Sequence, residues 1–143
     1  MTAPSRQIDV RAPRFAAWVT SVVLAAVLLT GSGVLLAAQA VVFATGALAG
    51  MRYSPYGLVF RSLVAPRLGS VREREPEAPV RFAQFVGLLF AVVGAAGYLL
   101  GAPTVGAVAT GLALVAALLN ATVGFCLGCE LYLLVRRALP ART

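Results

Sequence analysis

Two cysteines, the only ones in the chain of 143 residues, lie three positions apart in the segment 124–132. Cys126 and Cys129 form a C-x-x-C motif, and Glu130 follows directly. This spacing is used by dithiol–disulfide redox centres and by one half of a thiolate metal site. In a redox or sulfur-relay interpretation, one cysteine attacks as the thiolate and the second resolves the mixed disulfide. Glu130 would then tune the pair or shuttle a proton.

The same motif allows two other interpretations. A closed thiolate metal site needs four ligands, and the chain has no histidine. Two subunits would therefore each have to supply Cys126 and Cys129. Free cysteines also behave as small apolar residues that pack a helix end. The spacing favours the redox interpretation slightly over packing and more clearly over metal binding, and we expect no cofactor or metal in a single chain.

The composition identifies the environment of this motif. The chain is 60% hydrophobic and 12% charged, with a mean hydropathy of +0.90, whereas a soluble domain is about 45–50% apolar and about 25% charged. A small domain cannot bury this excess in its own core, which excludes an ordinary soluble enzyme and indicates a membrane protein. The absence of histidine excludes His-ligated zinc or haem and histidine acid–base catalysis. The net charge of +7 comes from scattered arginines without a basic helix or patch, so we expect no nucleic-acid partner.

Charged residues are absent from two long stretches, 15–51 and 82–129. As helices these stretches would be roughly 55 and 70 Å long, about twice the thickness of the hydrocarbon core. Each has a turn signal near its middle, Gly31-Ser32-Gly33 and Gly101-Ala102-Pro103. The pattern predicts an all-α membrane protein with four transmembrane helices in two hairpins. These helices are about 15–31, 34–50, 82–101 and 104–125. A tilted helix with a re-entrant segment is the alternative for the first stretch.

All 12 basic residues are arginines, and they lie before the first predicted helix, in segment 51–81 and after the last helix. With four passes these segments share one face, which the positive-inside rule makes cytoplasmic. We therefore expect a single multi-pass membrane domain over 1–143, with both termini in the cytoplasm and arginine contacts to anionic lipid headgroups. Cys126 and Cys129 would lie at this face.

Segment 51–81 contains a short predicted helix of its own. Ser54 and Pro55 are typical of an N-cap and a first helical position. Apolar residues at helical spacing follow until Pro66, where we expect the helix to stop, and this pattern favours a helix in the membrane interface. The charge-mixed, proline-rich stretch 72–79 is predicted to be a solvated connector.

A few polar and small residues inside the predicted spans indicate how the helices pack. The amides of Gln39, Gln84 and Asn120 are expected to point into the bundle, where they hydrogen-bond or support the cysteines. Glycines four residues apart allow close helix approach, at Gly46/Gly50, Gly97/Gly101 and Gly124/Gly128. If the last helix continues beyond 125, Cys126, Cys129 and Glu130 share one face.

Three strings carry a family resemblance. They are Arg81-Phe82-Ala83-Gln84, Leu119-Asn120-Ala121 and Gly124-Phe125-Cys126-Leu127-Gly128-Cys129-Glu130-Leu131-Tyr132. With these strings the chain resembles a family of small bacterial membrane proteins described as a domain of unknown function, and the likeness spans most of the sequence. The resemblance implies a bacterial cytoplasmic membrane and a gene neighbourhood of thioredoxin-like and sulfurtransferase proteins.

These observations predict a membrane-anchored thiol protein that acts through Cys126 and Cys129. Its partner would be a cytoplasmic thioredoxin-like or sulfurtransferase protein, which exchanges a disulfide or persulfide sulfur with it. Whether the exchange is enzymatic stays open. The alternative is a non-catalytic scaffold that recruits a partner to the membrane through its arginine-rich face.

Overall fold

The computed structural model describes residues 7–9, 11–50, 53–68 and 74–138. This part of the chain is predominantly helical, with one short pair of strands. In chain order its elements are β1 (Gln7–Asp9), α1 (Arg11–Thr30), α2 (Gly33–Leu48), α3 (Pro55–Val59), a π-helical turn (Phe60–Val64), α4 (Ala65–Leu68), β2 (Arg74–Pro76), α5 (Glu77–Leu99), α6 (Pro103–Val123) and α7 (Leu127–Ala138).

Three of these helices are long and apolar enough to cross a membrane. They are α1, α6 and the part Ala78–Leu99 of α5. Helix α2 is apolar but has only 16 residues. The helical structure is interrupted between α1 and α2 at Gly31, and between α5 and α6 at Gly101 and Ala102. The sequence predicts turns at both places. The expectation of a helical membrane protein is thereby confirmed.

The four longest helices pack side by side, and their order in space differs from their order in the chain. Helix α5 contacts both α2 and α6 extensively, and α1 lies against α6 with a smaller contact to α2. Leu24 and Val27 of α1, Leu36 and Phe43 of α2 and Ala91 of α5 form the central core. Many large apolar side chains on the outer surface are exposed, such as Leu29 at 87%, as lipid-facing residues would be.

The segment between α2 and α5 begins as predicted but does not end as predicted. Ser54 is the N-cap of α3 and Pro55 its first residue. The helical segment does not stop at Pro66. A π-helical turn, which is wider than an α-helical turn, follows α3, and α4 then continues to Leu68. Proline has no N–H for a helical hydrogen bond. Directly before it, the backbone already departs from the α-helical pattern, because Ala65 N–H donates to the carbonyl of Phe60, so the helical segment can contain Pro66.

A second apolar cluster lies at the end of the bundle where α1 and α5 begin. It consists of the buried residues Ala12, Ala16, Phe60 and Val80, and we call it the end cluster. Phe60 is only 2% exposed, and its ring lies 5.7 Å from that of Phe15, centroid to centroid. The π-helical turn is thus held against α1, while Leu63 on the same turn is 64% exposed.

The stretch before α5 is not wholly the solvated connector that the sequence predicts. Residues Arg74–Pro76 pair in antiparallel register with Gln7–Asp9, with Ile8 opposite Glu75. This backbone pairing links the segment before α1 to the segment before α5. Residues 72 and 73 of the predicted connector lie outside the described residues.

A polar contact joins α3 to the middle of α2. Tyr56 Oη donates a hydrogen bond of 2.5 Å to Oε1 of Gln39, whose side chain is 1% exposed. The predicted inward orientation of Gln39 is therefore confirmed. The Nε2 atom of Gln39 is buried without a partner. Burial raises the pKa of Tyr56 above its ordinary value, so the phenol stays protonated and can donate this bond.

Replacing Tyr56 with phenylalanine should lower the free energy of unfolding by about 1–3 kcal/mol, because both polar atoms of the Gln39 side chain would then be buried without partners. The double variant Tyr56→Phe/Gln39→Leu should recover most of this loss, since it removes both polar groups. SDS titration in mixed micelles measures both values. If the double variant is no more stable than Tyr56→Phe, the loss in the free energy of unfolding does not come from the unpaired amide of Gln39.

Candidate functional site

The last long helix ends before the cysteines. Gly124 has a left-handed backbone conformation with φ of 76°, which side-chain-bearing residues rarely adopt. Its N–H donates to the carbonyl of Asn120 at 3.1 Å, and Phe125 N–H donates to that of Leu119 at 3.2 Å. The end of α6 lies close to the predicted end at about 125. The condition under which Cys126, Cys129 and Glu130 would share one face, a continuation of the same helix through the motif, is not met. Helix α6 ends at Val123, and the C-x-x-C motif begins a new helix.

Cys126 lies at the start of α7 and caps it. Its Sγ accepts a hydrogen bond of 3.1 Å from the N–H of Cys129, and its carbonyl accepts one of 3.0 Å from the N–H of Glu130. The sulfur therefore replaces the side-chain oxygen that usually caps a helix N-terminus. The unpaired N–H groups and the helix dipole at such a position stabilise a thiolate.

The two cysteine sulfurs are bonded to each other as a disulfide. Their Cα atoms lie 5.2 Å apart, within the usual range for disulfides. Both residues are half-buried, but they face different surroundings. Cys129 packs against the end cluster, whereas Cys126 lines a cavity inside the bundle.

Helix α7 is held against α5 by a close approach of two small residues. A Cβ atom added to Gly128 would lie 2.6 Å from both Cα and Cβ of Ala83. One turn further along α7, the ring of Tyr132 contacts that of Phe82 at a centroid distance of 5.6 Å. The predicted close approach at Gly128 is thus confirmed, and its partner is a helix of the same chain.

Arg14 contacts the turn between α6 and α7. Its Nη2 lies 3.4 Å from the carbonyl oxygens of Ala121 and Thr122, at the negative end of the α6 dipole. Arg81 caps the C-terminal end of α2 in the same way and donates hydrogen bonds to the carbonyls of Ala47 and Leu48. From the sequence, these arginines were expected to orient the chain in the membrane and to contact anionic lipid headgroups. Their position directly before a long apolar stretch is the signal that could have indicated a capping role.

The cavity beside Cys126 has a volume of about 110 Å³ and lies among α1, α2, α5, α6 and the start of α7. Its polar lining, apart from Cys126, comes from Thr20, Gln84 and Asn120. Gln84 and Asn120 thus point into the bundle as predicted. Among the residues that the structure describes, neither amide side chain has a hydrogen-bonding partner. The remaining lining residues are apolar or glycine.

Glu130 lies in the first turn of α7 and is exposed. Within the described ranges, its carboxylate forms no hydrogen bond or ion pair. Its role in proton transfer therefore stays a prediction. The described residues also contain no cluster of three or more cysteine, histidine or acidic side chains that could hold a metal.

A protein-family match includes nearly all of these elements. A family model described as a domain of unknown function, DUF4395, matches residues 8–137. The chain belongs to this family. The match extends from β1 into α7 and includes the C-x-x-C motif and every residue that lines the cavity, so the predicted membership of an uncharacterised family is confirmed. No curated protein and no solved structure matches the chain.

Proposed function

We propose that this DUF4395 protein is a membrane-anchored thiol protein that exchanges disulfides, or persulfide sulfur, through Cys126 and Cys129. The observation that carries the proposal is the position of Cys126, which caps α7 and lies within disulfide-bonding distance of Cys129. A thiolate at a helix N-terminus is stabilised and reactive, and a second cysteine three residues later can resolve a mixed disulfide.

The geometry gives the two cysteines different roles. In the reduced chain, the Cys126 thiolate attacks one sulfur of a partner disulfide, forms a mixed disulfide with it and expels the partner's other cysteine as a thiolate. The Cys129 thiolate then attacks Cys126 Sγ, closes the intramolecular disulfide and releases the partner's remaining thiolate. Two electrons pass from the chain to the partner, and the reverse sequence returns them.

The partner we propose is a thioredoxin-like or sulfurtransferase protein in the cytoplasm of a bacterium. The proposal includes four spans in two hairpins, with α2 as the fourth and shortest. The arginines support this topology, because they lie in three segments, before, between and after the two charge-free stretches, and four passes would put these segments on one face. Arg6, Arg52, Arg72 and Arg142 lie outside the described residues. Exposed apolar residues of 55–68, such as Leu63 and Leu68, support contact of this segment with a membrane surface that carries anionic headgroups.

The test is thiol trapping in cells. Cys129→Ser should accumulate a partner on Cys126 as a mixed disulfide, because the resolving thiol is missing. Cys126→Ser is the matched control and should trap much less, since the remaining thiol packs on the end cluster. Non-reducing electrophoresis followed by mass spectrometry identifies the trapped protein. In membrane vesicles, an impermeant maleimide should modify the reduced pair from the cytoplasmic side alone.

Two results would contradict the proposal. If neither single variant traps a protein and both retain function, the exchange does not take place. If the double variant Cys126→Ser/Cys129→Ser still binds the same partner and charge reversal at Arg61 and Arg67 abolishes that binding, the protein is a scaffold instead. Labelling from the outer side alone would overturn the proposed topology.

A further inference from the structure

The cavity beside Cys126 limits what can reach the disulfide from within the bundle. Its volume of about 110 Å³ is smaller than an apolar cavity of about 150 Å³ that accepts benzene. An occupant of about four or five non-hydrogen atoms is the largest that fits by the same comparison. A protein segment or a tripeptide thiol such as glutathione is too large to be accommodated whole in this volume.

The cavity exposes only one of the two sulfur-bearing residues. Cys126 belongs to its lining and Cys129 does not, because Cys129 packs on the end cluster. A nucleophile inside the cavity therefore meets the disulfide at Cys126. Attack at the Cys126 sulfur breaks the S–S bond, with the Cys129 thiolate as the leaving group, and so opens the disulfide.

The polar groups of the lining indicate the chemistry of the occupant. Gln84 on α5 and Asn120 on α6 belong to the lining, and their side-chain amides have no hydrogen-bonding partner in the described part of the chain. These groups can donate hydrogen bonds to a small polar or thiolate ligand. No lining residue is charged. A thiol with an ionised carboxylate or ammonium group would bring a further charge into this lining, where no charged side chain can pair with it, which is costly.

We propose, on the basis of the thiol function proposed above, that this cavity binds a small thiol without ionised substituents, of which hydrogen sulfide is the smallest. The deprotonated thiol attacks Cys126 Sγ and forms a new S–S bond, the Cys126–Cys129 bond breaks, and Cys129 leaves as a thiolate that takes a proton from water. With sulfide the products are a Cys126 persulfide and a Cys129 thiol. The sulfide sulfur supplies the two electrons.

The experiment uses the oxidised full chain in nanodiscs and three thiols of increasing size, namely sulfide, 2-mercaptoethanol and glutathione. Each rate of disulfide opening is divided by the rate of the same thiol with a soluble peptide disulfide. The ratio for sulfide should exceed that for glutathione by about tenfold or more, as expected of a pocket that rejects excess volume. Intact-mass spectrometry should show one added sulfur atom after reaction with sulfide, located on Cys126.

A cavity-filling variant provides the second arm. Ala116 lines the cavity, and Ala116→Leu should reduce the normalised sulfide rate by about tenfold. Ala107 is exposed on the same helix, so Ala107→Leu should leave the rate unchanged. Reduction by a thioredoxin, which is too large for the cavity, should be equal in all three chains.

The outcomes separate this inference from the function on which it rests. If thioredoxin opens the disulfide but glutathione reacts as fast as sulfide, the cavity does not select the substrate and the proposed function stands. An unchanged sulfide rate in a folded Ala116→Leu variant has the same meaning. If neither thioredoxin nor any small thiol opens the disulfide, both proposals are wrong. The size series on the unsubstituted chain decides the question even if Ala116→Leu does not fold.

Discussion

Replacing Gly128 with alanine should separate α7 from α5 and lower the free energy of unfolding by about 1–3 kcal/mol, the usual cost of an overpacked contact. The added Cβ would lie 2.6 Å from the Cα of Ala83. Because this Cα belongs to the backbone of α5, no rotamer change can relieve the clash, and the start of α7 must move. Cys129 would then leave the end cluster, and its thiol in the reduced chain should react faster with maleimide.

Gly111 provides the matched control. It lies inside α6, and a Cβ added there has no neighbour within 4 Å. Gly111→Ala should therefore be neutral or stabilise the protein by up to about 1 kcal/mol, since alanine is the better helix former. SDS titration measures both variants, and timed alkylation compares their Cys129 thiols. The contact would be unimportant if Gly128→Ala were as stable as Gly111→Ala and its Cys129 reacted at the rate of the unsubstituted chain.

The long helices could be predicted from the sequence because bilayer physics makes their signal strong. A charged residue is costly in hydrocarbon, so the two charge-free stretches define where helices can span, and the glycines at 31 and 101 define where they break. The extent of α5 was less predictable. It begins at Glu77, five positions before the predicted start, because a helix can extend beyond the apolar stretch into the charged segment.

The break between α6 and α7 could not be predicted from spacing alone. Gly46/Gly50, Gly97/Gly101 and Gly124/Gly128 have the same four-residue spacing, yet the two glycines of each pair differ in backbone conformation. Gly46 lies against Gln84, Gly97 against Gly106 and Gly128 against Ala83. The other members, Gly50, Gly101 and Gly124, have positive φ and lie where a helix has ended. The spacing does not distinguish these tasks, because tertiary contacts decide which glycine stays helical.

The cavity and the end cluster depend on contacts between distant parts of the chain. Gln84 and Asn120 were each predicted to face inward, but only the packing of α5 against α6 places both beside Cys126. Phe60 is buried because α1 and α5 begin at the same end of the bundle. The chemistry of the site was thus visible in the sequence as two cysteines, while its shape and the difference between Cys126 and Cys129 were not.

Replacing Gly97 with alanine should have the second large effect, at the opposite end of the bundle. The added Cβ would lie 2.7 Å from the backbone nitrogen of Gly106 and 3.0 Å from the carbonyl oxygen of Ala102. Helices α5 and α6 would have to separate next to the turn that joins them. We expect a loss of about 1–3 kcal/mol in the free energy of unfolding, again measured by SDS titration against Gly111→Ala.

The location of this effect distinguishes it from that of Gly128→Ala. Helix α6 has 21 residues and is therefore roughly 30 Å long, so the clash at Gly97 lies about that distance from Cys126. Gly97→Ala should destabilise the bundle while the Cys129 thiol of the folded protein keeps its alkylation rate. An accelerated rate would show that the two ends of the bundle are coupled, and the position of α7 would then depend on the whole bundle and not only on its contact with Ala83.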